Sequence, residues 1–225
     1  MGKRKEEDKG LTADQIMSVL EKEYSRHGRF IPGQRPPYPP LKDAFDLNSS
    51  KVRLAAVVEL GRRRDRKSLP LLKSALWDWY VPIRAVATKT LEAMGDTSGK
   101  ELLISLANTG DFKLRFDALR VLAQLNDESL RPVFARAMQS EDPRISTLAS
   151  QAMFSLGERA GLESLVSKLK SGTDAERMEA AGFLATIEDP EAQTAVRKFL
   201  NSSDVAPSLR KAVSSNLRRA RRGNN

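Results

Sequence analysis

Five carboxylates recur at one step along this chain. Asp65, Asp96, Asp127, Glu158 and Asp189 each lie 31 positions after the one before. Two carboxylates held close together can divide general acid and general base work. Carboxylates spaced evenly along a stacked chain are not such a pair, so their chemistry must be local. Asp189 is followed by Pro190, the pattern of a helix N-cap with proline at the first helical position. By periodicity Asp65, Asp96 and Asp127 fall at the same place. Each carboxylate there can accept hydrogen bonds from the amides that open a helix, where the macrodipole also favours an anion. Arginines keep the same step at Arg53, Arg84, Arg115 and Arg177, with Ser146 standing in the skipped place. Each lies 12 residues before its carboxylate, within reach of an acidic residue of its own or an adjacent unit. The ladder is therefore read as structural. No catalytic residue, metal ligand or cofactor is expected from it.

The other side chains with chemistry to offer break the repeat. Trp77, Asp78 and Trp79 stand together. One step later Trp77 and Trp79 are matched by Asn108 and Gly110, and one step further by Gln139 and Glu141. The repeat does not demand large aromatics there. Tryptophan is enriched in binding hot spots, so Trp77, Asp78 and Trp79 are candidate partner contacts. The other reading packs the tryptophans under the N-terminal arm. The sequence leaves both open. Arg62, Arg63, Arg64, Arg66 and Lys67 form a basic knuckle around Asp65, and Arg210, Lys211, Arg218, Arg219, Arg221 and Arg222 make the C-terminus basic. Together these clusters favour an anionic partner: an acidic protein face, RNA or DNA phosphates, or, third in order, a membrane surface. No aromatics of the kind that stack bases are interleaved with them.

Self-similarity at this period marks a stacked repeat, and the elements that hold the ladder follow from it. The first helix of each pair is expected to start near Ser50, Pro82, Lys113, Arg144 and Ala175. It carries Ala56, Ala87, Ala118, Ala149 and Ala180 at matched steps, then Leu60, Leu91, Leu122, Met153 and Leu184. The second helix is expected to end on Leu76, Ala107, Met138, Leu169 and Leu200. Each unit is a helical hairpin with one apolar seam that it cannot bury alone, so neighbours must stack. Residues 206–222 form a half-repeat with Leu209, Val213 and Leu217 on one face. The expected fold is all-α: a right-handed α-solenoid of about five hairpins plus that half-repeat. Two regions are expected. Residues 1–47 hold a charged tail, a capping helix over residues 12–27 and a proline-rich strap. Residues 48–225 hold the solenoid and its basic cap.

The capping helix is signalled by Thr12 as N-cap, Gln15 completing a capping box, and a stripe of Ile16, Val19, Leu20 and Tyr24. In the strap, Pro32, Pro36, Pro37, Pro39 and Pro40 impose extended geometry. Phe30, Ile31 and Tyr38 suggest that it is docked along the array.

The chain has 225 residues, no cysteine and a formal net charge of +9. Disulfide frameworks and thiolate metal sites are thereby excluded. Residues 1–110 hold 20 basic against 14 acidic side chains, residues 111–202 hold 12 against 14, and residues 203–225 hold 6 against 1. The positive charge sits at the two ends, unlike a uniform basic groove for nucleic acid. No apolar run reaches the ~20 residues that span a bilayer. The N-terminus has no secretory h-region. A cytoplasmic location is expected.

Segments such as SSKVRLAAVVELGRRRDRKSLPLLKSAL and VPIRAVATKTLEAMGDTSGKELLISLA resemble HEAT repeats of the phycobilisome-lyase type over residues 48–220. That superfamily includes chromophore-lyase subunits, deoxyhypusine hydroxylases, alkylpurine DNA glycosylases and scaffolding proteins. The hydroxylases hold iron through repeated His-Glu pairs. Here His27 is the one histidine, with no Glu after it, and it is read as a helix-end residue. The glycosylases use tryptophans and an aspartate in a concave cleft, whereas Trp77, Asp78 and Trp79 fall at a turn between repeats. The expected function is a non-enzymatic scaffold or adaptor within a larger assembly, acting as a monomer or as a subunit of a hetero-complex. The alternative is a nucleic-acid-associated protein using its basic ends, and the third is a glycosylase-like enzyme.

Overall fold

A computed structural model describes residues 11–37 and 46–223, with side chains left aside at position 47 and from position 216 onward. Among the described residues there are twelve α-helices and no strand. Helix α1 spans Ala13–Ser25, with Thr12 and Gln15 closing the capping box. The hairpins follow in order: α2 Leu47–Arg63 with α3 Leu69–Ala75; α4 Val81–Ala93 with α5 Ser98–Thr109; α6 Phe112–Leu125 with α7 Arg131–Met138; α8 Pro143–Ser155 with α9 Arg159–Ser171; and α10 Asp174–Leu184 with α11 Pro190–Asn201. Helix α12, Pro207–Gly223, is the half-repeat. First helices begin within three residues of the expected positions. The fold is the all-α repeat class the sequence implied.

The alanine and leucine registers make the seam. Ala56, Ala87, Ala118, Ala149 and Ala180 are all buried, as are Leu60, Leu91, Leu122, Met153 and Leu184. Small residues at one register let helices approach closely, and large ones at the next fill the space between them. Gly161 shows how tight this is: a Cβ there would lie 2.4 Å from the Ser150 carbonyl oxygen and 2.5 Å from the Phe154 amide nitrogen.

By packing, the chain divides into two compact units, Met1–Leu103 and Ile104–Asn225. In the first, α1 packs along α2, and α2 and α3 both pack on α4. In the second, first helices stack on first helices (α6 on α8, α8 on α10, α10 on α12) and α9 stacks on α11. Helix α12 takes the place of a first helix, with Leu209 and Val213 buried. Leu217 and Tyr38 lie outside the described side chains.

The turn inside the hairpin also repeats. Arg64, Gly95, Asn126 and Gly157 all adopt positive φ, of 53°, 82°, 52° and 82°. They are spaced by the same 31 residues. Each stands just before a ladder carboxylate, where the chain must reverse out of the first helix. Glycine adopts this conformation without strain, and other residues pay roughly 1–2 kcal/mol. Gly95→Ala is therefore expected to lower stability by about that amount in urea unfolding, and Arg64→Gly to leave it equal or higher.

Candidate functional site

The ladder aspartates cap the start of the second arm of each hairpin, Asp65 and Asp127 through a short 3-10 turn (Arg66–Ser68 and Glu128–Leu130) that leads into the α-helix. Asp65 accepts from the Lys67 amide at 2.9 Å, Asp96 from Ser98 at 3.0 Å, Asp127 from Ser129 at 2.8 Å, and Asp189 from Glu191 and Ala192 at 2.9 and 3.0 Å. Glu158 holds the N-cap position without a side-chain cap bond. Its longer side chain pairs instead with Arg131 at 2.7 Å.

Cations on the second helix or turn of the preceding hairpin meet the next carboxylate: Lys73 meets Asp96 at 2.9 Å, Arg131 meets Glu158, and Arg159 meets Asp189 at 3.5 Å. The Ser98 hydroxyl and Lys73 together hold the Asp96 carboxyl below its ordinary range. The ladder arginines have other tasks. Arg177 donates to the Leu169 carbonyl at 3.2 Å and lies 5.3 Å from the Phe199 ring. Arg53 turns to Asp78.

That pair is the centre of the first unit. Arg53 and Asp78 are both fully buried, in van der Waals contact with core and out of reach of water. Arg53 donates through Nε to Asp78 Oδ2 at 2.8 Å and through a terminal nitrogen to Oδ1 at 3.2 Å. The Tyr24 hydroxyl donates to Oδ2 at 3.0 Å, and the Tyr80 amide to Oδ1 at 2.8 Å. Four donors occupy the roughly four lone-pair sites a carboxylate offers. The other terminal nitrogen of Arg53 donates to Ser49 Oγ at 2.6 Å, and Ser49 Oγ donates in turn to Glu23 at 2.5 Å. The Arg53 guanidinium also lies 4.0 Å from the Trp79 ring centre. The network ties α1 to the first hairpin.

Asp78 is thus not a partner contact, contrary to the sequence reading: its carboxylate is consumed inside the fold. Trp77 and Trp79 are half-buried, packed against the core formed by α1 to α4. Trp79 meets the Tyr24 ring edge-on at 6.1 Å and His27 at 6.4 Å. Trp77 carries the Arg35 guanidinium 5.6 Å above its ring. The arm lies over them: Phe30 packs against Tyr24 at 5.1 Å, the Gly33 amide donates to Ser74 Oγ at 2.8 Å, and Pro36 is buried. Both tryptophans pack beside the arm, and each keeps part of its surface exposed. A signal in the sequence pointed this way. One 31-residue step after another, Asp78 is matched by Thr109, Ser140, Ser171 and Ser202, so it is the only charged side chain in its register.

Burial pushes the Tyr24 phenol well above its ordinary value of 10.0, and the Asp78 charge pushes it further. A raised folded-state value leaves the full stabilisation in place below the unfolded chain's phenol pKa, near 10. It is lost as pH rises beyond that, because the unfolded phenol then releases its proton and the folded one does not. Chemical denaturation from pH 8 to pH 11 is expected to show a steeper loss in the wild type than in Tyr24→Phe.

The basic knuckle is partly spent. Glu59 accepts from Arg62 at 2.9 and 2.8 Å and from Arg63 at 2.8 Å. These bonds hold the Glu59 carboxyl down at about 2. Arg63 also donates to the Leu11 carbonyl, fixing the start of the arm. Arg64, Arg66 and Lys67 are exposed, and Arg62 keeps 70% of its side chain exposed. At the other end Arg210 is partly engaged within the fold. It is half-buried and donates to the carbonyls of Ser202 at 2.6 Å and Val205 at 3.2 Å. Lys211 is exposed. The side chains of Arg218, Arg219, Arg221 and Arg222 lie outside the described residues.

One feature was missed from sequence. Between α1 and α2 runs an open apolar groove of about 410 Å³, floored by Ile16 and Ala56 and walled by Leu11, Val19, Val52 and Ala55. Nothing in the 31-residue pattern marks it, because α1 is not a repeat. Among the described residues there is no cluster of side chains able to hold a metal ion, and no helix is long and apolar enough to cross a membrane.

Residues 100–185 match the family model described as HEAT repeats. No curated protein matches the chain. Among solved structures, the complex of CpcE and CpcF of phycocyanin lyase from Nostoc sp. PCC7120 is similar, at 22% identity and a TM-score of 0.44, over 92% of this chain and 75% of that one. A likeness of that degree adds nothing to the functional reading.

Proposed function

We propose that this HEAT-repeat chain is a non-catalytic adaptor that docks onto other proteins within an assembly. The observation that carries this reading is where its recurring polar groups go. Ladder carboxylates bind helix-opening amides, and the Arg53–Asp78 pair is sealed in the core. Groups so engaged serve the fold. The exposed surface is left as broad helical faces, the usual binding surfaces of stacked repeats.

The same census weakens the nucleic-acid alternative. Arg63 is bound to Glu59 and to the Leu11 carbonyl, and Arg210 to backbone carbonyls. Phosphate binding by the exposed remainder would fall steeply with salt. The test is purification of the tagged full-length chain from its native host, followed by sizing and cross-linking mass spectrometry. A protein partner in fixed stoichiometry is the expected result. A chain that elutes alone, or with nucleic acid that high salt removes, would overturn the adaptor reading.

A further inference from the structure

We infer that the groove between α1 and α2 is the docking site for an acidic amphipathic helix of a partner protein. This rests on the adaptor reading and names its surface. Leu11 and Val52 are 54% and 42% exposed, and both line this groove. Large apolar side chains exposed together mark an interaction site, whereas single ones need no explanation.

The shape favours a helix. The groove follows α2 from Val52 to Arg63. At 1.5 Å per residue that is about 16 Å, or three helical turns. Its walls are two helices whose backbone amides and carbonyls are already paired, so an extended peptide would find no edge to join. A helix laying apolar residues at i, i+3 or i+4, and i+7 into the groove matches this geometry.

The charge selects the sign. Glu59 and Arg63 line one end of the groove, where α2 runs into the knuckle. From Glu59 to Lys67 the chain carries five basic side chains, Arg62, Arg63, Arg64, Arg66 and Lys67, against two acidic ones, Glu59 and Asp65. The surplus is positive, and Arg62, Arg64, Arg66 and Lys67 are exposed to meet it. A helix with carboxylates at the end that reaches the knuckle would satisfy both apolar walls and cations. Neither terminal segment of this chain fits. Residues 1–10, MGKRKEEDKG, offer Met1 alone for an apolar groove, and residues 203–225, with 6 basic against 1 acidic side chain, repeat the sign of the knuckle.

The test uses full-length protein and a labelled amphipathic peptide of about three turns. The peptide carries leucines at i, i+3 and i+7 and glutamates at one end, and is followed by fluorescence anisotropy. Binding is expected at low salt. It should weaken about tenfold or more in Val52→Arg, which places an unpaired charge against the apolar peptide. It should weaken similarly when the peptide's glutamates become lysines, a comparison made on unaltered protein and so immune to misfolding. Equal binding by the two peptides, or by wild type and a Val52→Arg variant with unchanged thermal melt, would overturn the groove. A native complex that persists in Val52→Arg also overturns it while leaving the adaptor reading intact. Peptide binding by a chain that has no native protein partner would sink the adaptor reading and leave the groove's chemistry standing.

Discussion

Asp78→Ala is expected to cost about 3–5 kcal/mol of folding stability, the usual consequence of leaving one member of a buried ion pair without the other. Arg53 would remain fully buried with its Nε and one terminal nitrogen stripped of their acceptors, and the Tyr24 hydroxyl and Tyr80 amide would lose theirs as well. Urea unfolding followed by circular dichroism reads the loss. The comparison with an apolar replacement separates two meanings of the pair. Desolvating two charges is costly, so well-packed hydrophobic groups of similar volume are often as good or better. Tyr24→Phe, Arg53→Met and Asp78→Leu combined should recover most of what Asp78→Ala loses. If the triple variant is as unstable as the single one, the geometry of the pair itself, its fork and its contact with Trp79, is what holds α1 in place. If Asp78→Ala costs less than about 1 kcal/mol, water reaches the site and the sealed network is wrong.

The repeated part of this fold was legible in its packing, and the unrepeated part only in its elements, such as α1 with its Thr12–Gln15 box, for a physical reason. A register such as Ala56, Ala87, Ala118, Ala149 and Ala180 states the same packing demand five times. Chance departures cancel, and the helix starts, seam and caps can all be read from spacing. Glu158 shows the limit: it keeps the register, but one extra methylene takes its carboxylate to Arg131 and away from the helix amides. The cations that meet the ladder escaped notice because Lys73, Arg131 and Arg159 do not themselves keep the 31-residue step. Asp78 was visible as an oddity, and its neighbours Trp77 and Trp79 made it look like a surface. Its true partners, Arg53 and Tyr24, lie 25 and 54 residues away. The first hairpin brings Arg53 to Asp78, and only the packing of a non-repeating helix adds Tyr24. The groove was hidden for the same reason.

Removing residues 1–37 is expected to be the most damaging change to the first unit, and tryptophan fluorescence reports it directly. Ile16, Leu20 and Tyr24 are 5%, 0% and 0% exposed, and each buried side chain of this size contributes about 1.5–3 kcal/mol. Together they amount to roughly 5–9 kcal/mol, comparable with the whole stability of a small domain. Truncation also opens the Arg53–Asp78 pair to water and uncovers the tryptophan rings that Tyr24, His27 and Arg35 meet. The chain has only two tryptophans, Trp77 and Trp79, and both sit at this seat. Emission should therefore shift to the red and acrylamide quenching should quicken when the arm is absent. The full-length protein should show neither. Solvent-like emission from the intact chain would contradict the docked arm. A truncated chain with unchanged emission and unchanged urea midpoint would mean that α2 to α4 bury the tryptophans unaided and that the arm is a passenger. That outcome would also remove one wall of the groove from the argument, because α1 supplies Ile16 and Val19 to it.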